Sequence, residues 1–331
     1  MATLKDVAKL ACVDVSTVSR ALNNTSYVHP DTKKRILAAV KKLSYRPNVL
    51  AQGLRRGKVH TIAVVVPRLF ITVFSDIVQS VELEARGHGY ATMICHTEGI
   101  PEIEKECLDR LRNGFVDGLI IAGTGHNGHL LRDIQASGLP IVQVIRKQES
   151  GISSVVADYF ACGYDTVKFL YSKGCRQIGF INGSMALAPY RERYNGFCIA
   201  MKELGLTELS VESKLHANTF DYGYECTMKL LEQNPKLDAI MAAVDIQGMG
   251  ALRALKTKGL SVPEQVKVVS MTGYSVGALL ETSMTSLEIP AREMGEKAVQ
   301  MLLEEIEAKD GKKPSVQHLV FAASLVERES T

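Results

Sequence analysis

Thr3-Leu4-Lys5-Asp6-Val7-Ala8-Lys9-Leu10-Ala11-Cys12-Val13-Asp14-Val15-Ser16-Thr17-Val18-Ser19-Arg20-Ala21-Leu22-Asn23 is the stretch on which the fold of the N-terminal part turns. A hydroxyl at Thr3 and an acid at Asp6 have the spacing of a capping box, in which each end satisfies a backbone donor of the other. Leu4, Val7, Ala8 and Ala11 then fall on one helical face. After a break at Cys12-Val13, Asp14 is placed to cap a second helix, Val15 to Leu22, with Val18 and Leu22 turned inward. Two short helices with a tight turn and small apolar contacts form the helix-turn-helix pattern. The second helix leaves Val15, Ser16, Thr17, Ser19 and Arg20 outside, short or hydrogen-bonding side chains that can approach base edges and phosphates. A third helix is predicted from His29-Pro30, with Pro at the first helical position, to Leu43. Its Ile36, Leu37, Val40 and Leu43 make the stripe that clamps the pair.

Charge points the same way. Between Met1 and Lys58 twelve basic residues face three acids, Asp6, Asp14 and Asp31, a surplus of nine. The whole chain carries +3, so the rest carries −6. A basic head on an acidic body implies a polyanionic partner.

From Thr61 the periodicity changes. Apolar runs at Ile62–Val66, Ala91–Cys95, Gly118–Ala122, Ile141–Ile145, Ser154–Ala157, Ile178–Ile181, Ala239–Ala243 and Val266–Met271 read as buried parallel strands. Amphipathic helices separate them, near residues 74–87, 101–113, 127–137, 160–173, 190–204, 222–233, 246–258 and 291–307. The alternation implies an α/β body of two doubly wound parallel-sheet lobes behind a small all-α headpiece. Ligands of such sheets bind beyond the carboxyl ends of the strands, so two facing lobes make a cleft.

Three sets of residues in the head, Thr3–Ala8, Val15–Asn23 and Tyr45-Arg46-Pro47-Asn48, closely resemble the LacI/GalR family of repressors. The resemblance continues through the body. It includes Val116–Ile120, Gly174–Ile181, Arg191-Glu192-Arg193 with Gly196-Phe197, Met249–Leu255, Val262-Pro263 and Leu325–Ser330. It implies a sequence-specific DNA-binding transcription regulator acting as a repressor, with a periplasmic-binding-protein-like sensor for a sugar or phosphosugar effector. The implied organisation is a helix-turn-helix domain at 1–46, a hinge helix and linker at 47–60, and an effector and dimerisation domain at 61–331. Lobe one would comprise about 61–159 and 288–317, and lobe two 160–287 and 318–331. Positions 15, 16 and 20 would read bases in the major groove, while Thr3, Thr17, Ser19, Asn23 and Tyr45 would hold phosphates or position the helix. Asn48, Ala51 and Leu54 of the hinge would also contact DNA, with Leu54 wedged into the minor groove. No heptad or alternating-charge repeat follows Ser330, so a homodimer on a near-palindromic operator is expected. One departure is Cys12, where the family usually has Gly in the turn; a positive φ there would cost about 1 kcal/mol.

For the effector, Arg193 is the first candidate, because a guanidinium is a fixed fork of donors for vicinal hydroxyls, carboxylates or phosphates. Phe74 would stack on the ligand by family position. Asp245 and Asp158 follow strands and could accept hydroxyls, although helix capping explains both nearly as well. Thr272 and Asn218 stand where relatives often carry an acid and an aromatic. The loss of acceptors leaves the effector open between a sugar, a phosphosugar and a protein co-repressor.

Other classes are weaker. Gly123-Thr124-Gly125-His126-Asn127-Gly128 satisfies GxGxxG after a strand and before a helix, which alone would suggest a dinucleotide enzyme. It follows the third strand of the body rather than the first, and Glu149, the candidate ribose acid, lies beyond the next strand rather than at its tip. A metabolite binder without DNA function is opposed by the basic head. No HExxH, GxSxG or P-loop spacing is present, and the seven cysteines lack CxxC spacing. No enzyme activity, cofactor or metal is expected. A polar stretch after Met1 and the absence of a ~20-residue apolar run predict no secretory signal, no membrane span and a cytoplasmic protein.

Overall fold

The computed structural model describes residues 2–23, 26–45, 58–211, 218–273, 275–308 and 314–331. The chain divides into two units, Met1–Val59 and His60–Thr331. The expected hinge contacts Asn48, Ala51 and Leu54 lie outside the described residues.

Among its described residues the first unit packs three helices, α1 (Leu4–Ala11), α2 (Val15–Asn23) and α3 (Pro30–Lys42). The capping box at the start of α1 forms: Thr3 N–H donates to Asp6 Oδ2 at 2.8 Å and Asp6 N–H to Thr3 Oγ1 at 3.3 Å. The core consists of Val7, Ala8, Ala11, Val18, Ala21, Ile36 and Ala39, with Leu22, Val40, Leu43 and Tyr45 against it. Small residues dominate it because short helices must approach closely to bury anything. Leu37, expected in the stripe of α3, is 49% exposed, and Ala39 is buried in its place.

Cys12 ends α1 in the left-handed region, at φ 51° and ψ 53°, and its N–H returns to the carbonyls of Ala8 and Lys9. The following Val13 N–H reaches Ala8 O at 3.1 Å, which turns the chain sharply into α2. A Cβ in this region is strained where Gly is not.

Among its described residues the second unit contains two six-stranded sheets. The first is ordered β11-β5-β4-β3-β1-β2, with β1 Thr61–Val66, β2 Ala91–His96, β3 Gly118–Ile121, β4 Ile141–Val144, β5 Ser154–Ala157 and β11 His318–Phe321. The second is ordered β12-β10-β9-β8-β6-β7, with β6 Ile178–Ile181, β7 Leu209–Val211, β8 Ala239–Ala242, β9 Lys267–Ser270, β10 Thr285–Glu288 and β12 Ser324–Val326. All pairings among the described residues are parallel except β10 with β12. Nine helices follow in chain order among the described residues: α4 Thr72–Gly87, α5 Pro101–Leu111, α6 Gly128–Ala136, α7 Tyr159–Ser172, α8 Ala188–Glu203, α9 Phe220–Gln233, α10 Asp245–Thr257, α11 Ser275–Ala278 and α12 Ala291–Glu307. Each sheet is covered on both faces, so its central strands are buried throughout, as the continuous apolar runs imply.

Two expectations need correction. Ala91–Cys95 was expected to be buried, but β2 is an edge strand with Met93 39% and Ile94 48% exposed. His318–Phe321 was expected in lobe two, yet it pairs with β5 in the first sheet, His318 opposite Ser154 and Phe321 opposite Ala157. The chain therefore changes lobe at Ala322-Ala323, and only Ser324 onward joins the second sheet. The alternating pattern of β11 is that of a half-exposed edge, which carries no mark of the sheet it will join.

Replacing Cys12 with Gly is expected to stabilise the helical unit by up to about 1 kcal/mol, less the unfolded-chain entropy that Gly adds. Hydrogen exchange of α1 and α2 amides should slow in Cys12→Gly; unchanged or faster exchange would show that the left-handed turn is not strained.

Candidate functional site

The α2 helix displays three side chains to solvent, Val15, Ser16 and Arg20, and half-buries Thr17, Ser19 and Asn23. The buried partners Val18 and Ala21 fix its rotation, so the expected base-reading trio occupies its free face. Asn23 Nδ2 donates to Ser19 O at 2.8 Å and to Ser19 Oγ at 3.3 Å, tying the end of the helix together. Thr3 is committed to the cap, its hydroxyl donating to Asp6 Oδ2 at 2.7 Å. These bonds from Thr3 hold the Asp6 carboxyl below its usual range. Tyr45 is half-buried against the helical core.

In the second unit a cavity lies between the two lobes. Lobe one contributes Phe74 from α4, Ile145 and Arg146 from the end of β4, and Ile289. Lobe two contributes Tyr190 and Arg193 from α8, Asn218, Val244 and Thr272, while Tyr159 stands where the chain passes from one lobe to the other. Its free volume is about 30 Å³, room for little more than water, so a sugar-sized ligand enters only as the lobes part.

Of the six expected effector residues, four line this cavity: Phe74, Arg193, Asn218 and Thr272. Asp245 is not part of the lining. Its carboxylate accepts from Ser270 Oγ and, at 3.1 Å, from Gly273 N–H, and its own N–H donates to Thr272 Oγ1 at 3.1 Å. It positions Thr272 rather than facing the ligand space. Burial pushes its carboxyl above the usual range, against hydrogen bonds from Ser270, Thr272 and Gly273 and the charge of Arg193. Asp158 also does not line the cavity; its Oδ1 caps α7 by accepting from Ala161 N–H at 2.9 Å.

Three polar lining residues escaped the sequence reading: Arg146, Tyr159 and Tyr190. Two of them had a signal. Arg146 follows a strand end, where open parallel sheets place ligands; Tyr190 precedes Arg193 by one helical turn, hence shares its face. Arg193 is 2% exposed, with its Nη2 donating to Met271 O at 3.0 Å and its guanidinium 4.7 Å from the Tyr159 ring centre. Its Nε is buried without a partner among the described residues. Arg146 is 7% exposed, donates to Gly123 O at 3.1 Å and lies 5.4 Å from the Phe74 ring centre. Burial lowers the affinity of Arg146 for its proton, opposed by Tyr190, Tyr159 and Glu104. Arg146 is set in place by Ile145, which adopts φ 63°. Ile145 is held there by its N–H on Val155 O and by its carbonyl accepting from Tyr159 Oη, both at 2.9 Å. A β-branched residue in that region stores strain.

The GxGxxG segment is filled by its own neighbours. Glu104, fully buried, accepts from Thr124 N–H at 2.6 Å, Thr124 Oγ1 at 2.9 Å and Asn127 Nδ2 at 2.9 Å. Gln148 and Glu149 crowd Gly123 and Gly128. The Thr124 amide that could have met a phosphate is already spent on Glu104.

Residues 59–322 match the family described as periplasmic binding proteins and sugar binding domain of LacI family, and residues 3–48 match bacterial regulatory proteins, lacI family. The chain belongs to the LacI family. It is 30% identical to the ribose operon repressor of Halalkalibacterium halodurans, over 100% of this chain and 97% of that protein. It is 32% identical to the transcriptional repressor PurR of Haemophilus influenzae (strain PittEE), over 100% and 98%. The structure of the transcriptional regulator CelR in complex with cellobiose superimposes with a TM-score of 0.75 at 28% identity, covering 100% of both chains. This LacI-family chain is thus a DNA-binding transcription regulator with an effector domain. No helix of the described residues is long and apolar enough to cross a membrane.

Asp245 provides a pH test. A carboxyl whose folded pKa is raised binds its proton more tightly folded than unfolded, so stability falls as pH climbs above the ordinary 3.8 toward the raised value. Asp245→Asn should remove that fall and raise the denaturant midpoint at neutral pH. A midpoint lowered at neutral pH would instead show that the ionised carboxylate stabilises the Ser270–Gly273 turn.

Proposed function

We propose that the chain is a repressor that binds a near-palindromic operator as a homodimer, under the control of a sugar or sugar derivative held between the lobes. The observation that carries it is the free face of α2, with Val15, Ser16 and Arg20 outward on a unit whose sequence holds a surplus of nine positive charges. Arg20 is suited to a bidentate contact with guanine, and Thr17, Ser19, Asn23 and Tyr45 to phosphates and positioning. Asn48, Ala51 and Leu54 would complete the contacts as the hinge. The names of the relatives, a ribose operon repressor and a cellobiose-bound regulator, support a sugar-like effector.

Dimerisation has a candidate surface on lobe one. The edge strand β2 exposes Met93 and Ile94, and the adjoining loops expose Phe70 and Ile100. Those loops touch one another, Arg68 Nε donating to Glu98 O at 3.2 Å. Effector binding shifts lobe closure, which in a dimer changes the spacing of the two hinges and so the grip on DNA. A protein co-repressor would act through the same equilibrium. The protein carries out no chemistry on its ligand and works with the chromosome in the cytoplasm.

Selection of duplexes from a random pool should return a symmetric site, with affinity falling in salt by about −0.9 per neutralised phosphate. Arg20→Ala is expected to cost about 1–3 kcal/mol and to relax one base position in each half-site. Leu54→Ala should weaken operator binding and leave effector binding intact. If no palindrome is preferred over bulk genomic DNA at modest salt, with or without sugars, the repressor reading fails.

A further inference from the structure

We infer that the ligand of the interlobe cavity carries an oxyanion, a carboxylate or phosphate on a small polyhydroxylated body, gripped jointly by Arg146 and Arg193. The inference rests on the effector reading above and narrows its ligand class.

Two guanidiniums enter one small cavity from opposite lobes, Arg146 from the end of β4 and Arg193 from α8. Both are more than nine-tenths buried. Neither has a carboxylate within ion-pair distance among the described residues, and no Asp or Glu lines the cavity. The acids nearby do not pair with them: Glu104 is held by Thr124 and Asn127, Asp158 by the cap of α7, and Asp245, whose Oδ1 accepts from Ser270 and Gly273 while its Oδ2 is buried without a partner among the described residues, is pushed by burial toward its neutral form. A buried charge left without a counter-ion is strongly destabilising. The rings of Phe74 and Tyr159 supply cation–π attraction but no neutralisation. The unpartnered Nε of Arg193 is a donor still waiting for an acceptor.

A neutral sugar satisfies donors without balancing charge, whereas an oxyanion does both, with a shape that matches the guanidinium fork. Next to the cavity, and sharing Arg146 with it, is an open recess of about 440 Å³ whose wall includes His126, His129, Lys147 and Arg191. Its one acid among the described residues, Glu149, is paired with Arg132, and Arg191 lies 3.7 Å from Glu192, which leaves Arg146 and Lys147 as its unpaired cations. Such a positive mouth raises the local concentration of anions. Because the two arginines belong to different lobes, an anion between them replaces their repulsion with attraction and favours the closed form.

The test uses the full-length protein, thermal melting and calorimetry with matched compounds: ribose and ribose 5-phosphate, then glucose, gluconate and glucose 6-phosphate, with inorganic phosphate as the bare probe. A phosphate or carboxylate member is expected to raise the melting temperature more than its neutral parent, and the two arms distinguish the anion. In Arg146→Gln its binding should weaken by about tenfold or more. Without any ligand, Arg146→Met should melt higher than wild type, since it keeps the stem against Phe74 and removes the unpaired charge. A neutral sugar that stabilises as well as its anionic partner, no response to any anion, or a lower melting temperature of ligand-free Arg146→Met would each overturn the inference. Neutral-sugar control of operator binding would overturn it while leaving the repressor reading intact; loss of operator preference with anion binding retained would do the reverse.

Discussion

The body is governed by the chain's passage between its two sheets at Asp158, at Ile289-Pro290 and at Ala322-Ala323. Three strands of connection make each lobe discontinuous in sequence, so neither can fold without segments delivered by the other. They also form a natural hinge, because the lobes are otherwise separate layered units with their own cores, Ile62 to Leu303 in one and Cys162 to Leu287 in the other. Ala323 packs against both, at the last crossing. The cavity sits beside these passages, and its lining includes Tyr159 and Ile289 from two of them. A ligand there acts on the part of the molecule that sets the angle between the lobes.

The second sheet is completed by the C-terminal residues in a way its own strands could not manage. β10 carries Thr285 and Ser286 into the interior, and the tail answers them. Thr285 N–H donates to Ser330 Oγ at 2.8 Å, and Arg328 donates to Ser286 Oγ at 2.7 Å and to Glu288 Oε1 at 2.5 Å. Ser330 Oγ in turn donates to Val268 O at 2.6 Å. Buried polar groups are tolerated only when paired, so this tail closes the sheet rather than decorating it. Beside the cavity, by contrast, the guanidiniums of Arg146 and Arg193 are left with rings and carbonyls.

The two units use polar chemistry in opposite ways. In the helical unit the charges are outside and the core is made of alanine, valine and Ile36, leaving the surface free to meet a polyanion. In the body the cations that matter are inside, where a low dielectric strengthens each interaction and punishes each missing one. Both arrangements reward binding of an anion, one over an extended surface and one at a point.

Much of this was written in the sequence. The capping box, the apolar face of α1 and the outward set on α2 follow from helical spacing, a local property. The buried strands follow from continuous apolar runs, and Arg193 from the chemistry of its side chain. Only the tertiary structure decided which sheet received His318–Phe321, that β2 lies at an edge, that Asp245 turns away from the cavity to hold Ser270 and Gly273, and that Arg146 turns into it. The reason is physical: periodicity records which face of an element is buried, but the partner across that face, and the direction a side chain takes at a strand end, are fixed by contacts between residues far apart in the chain.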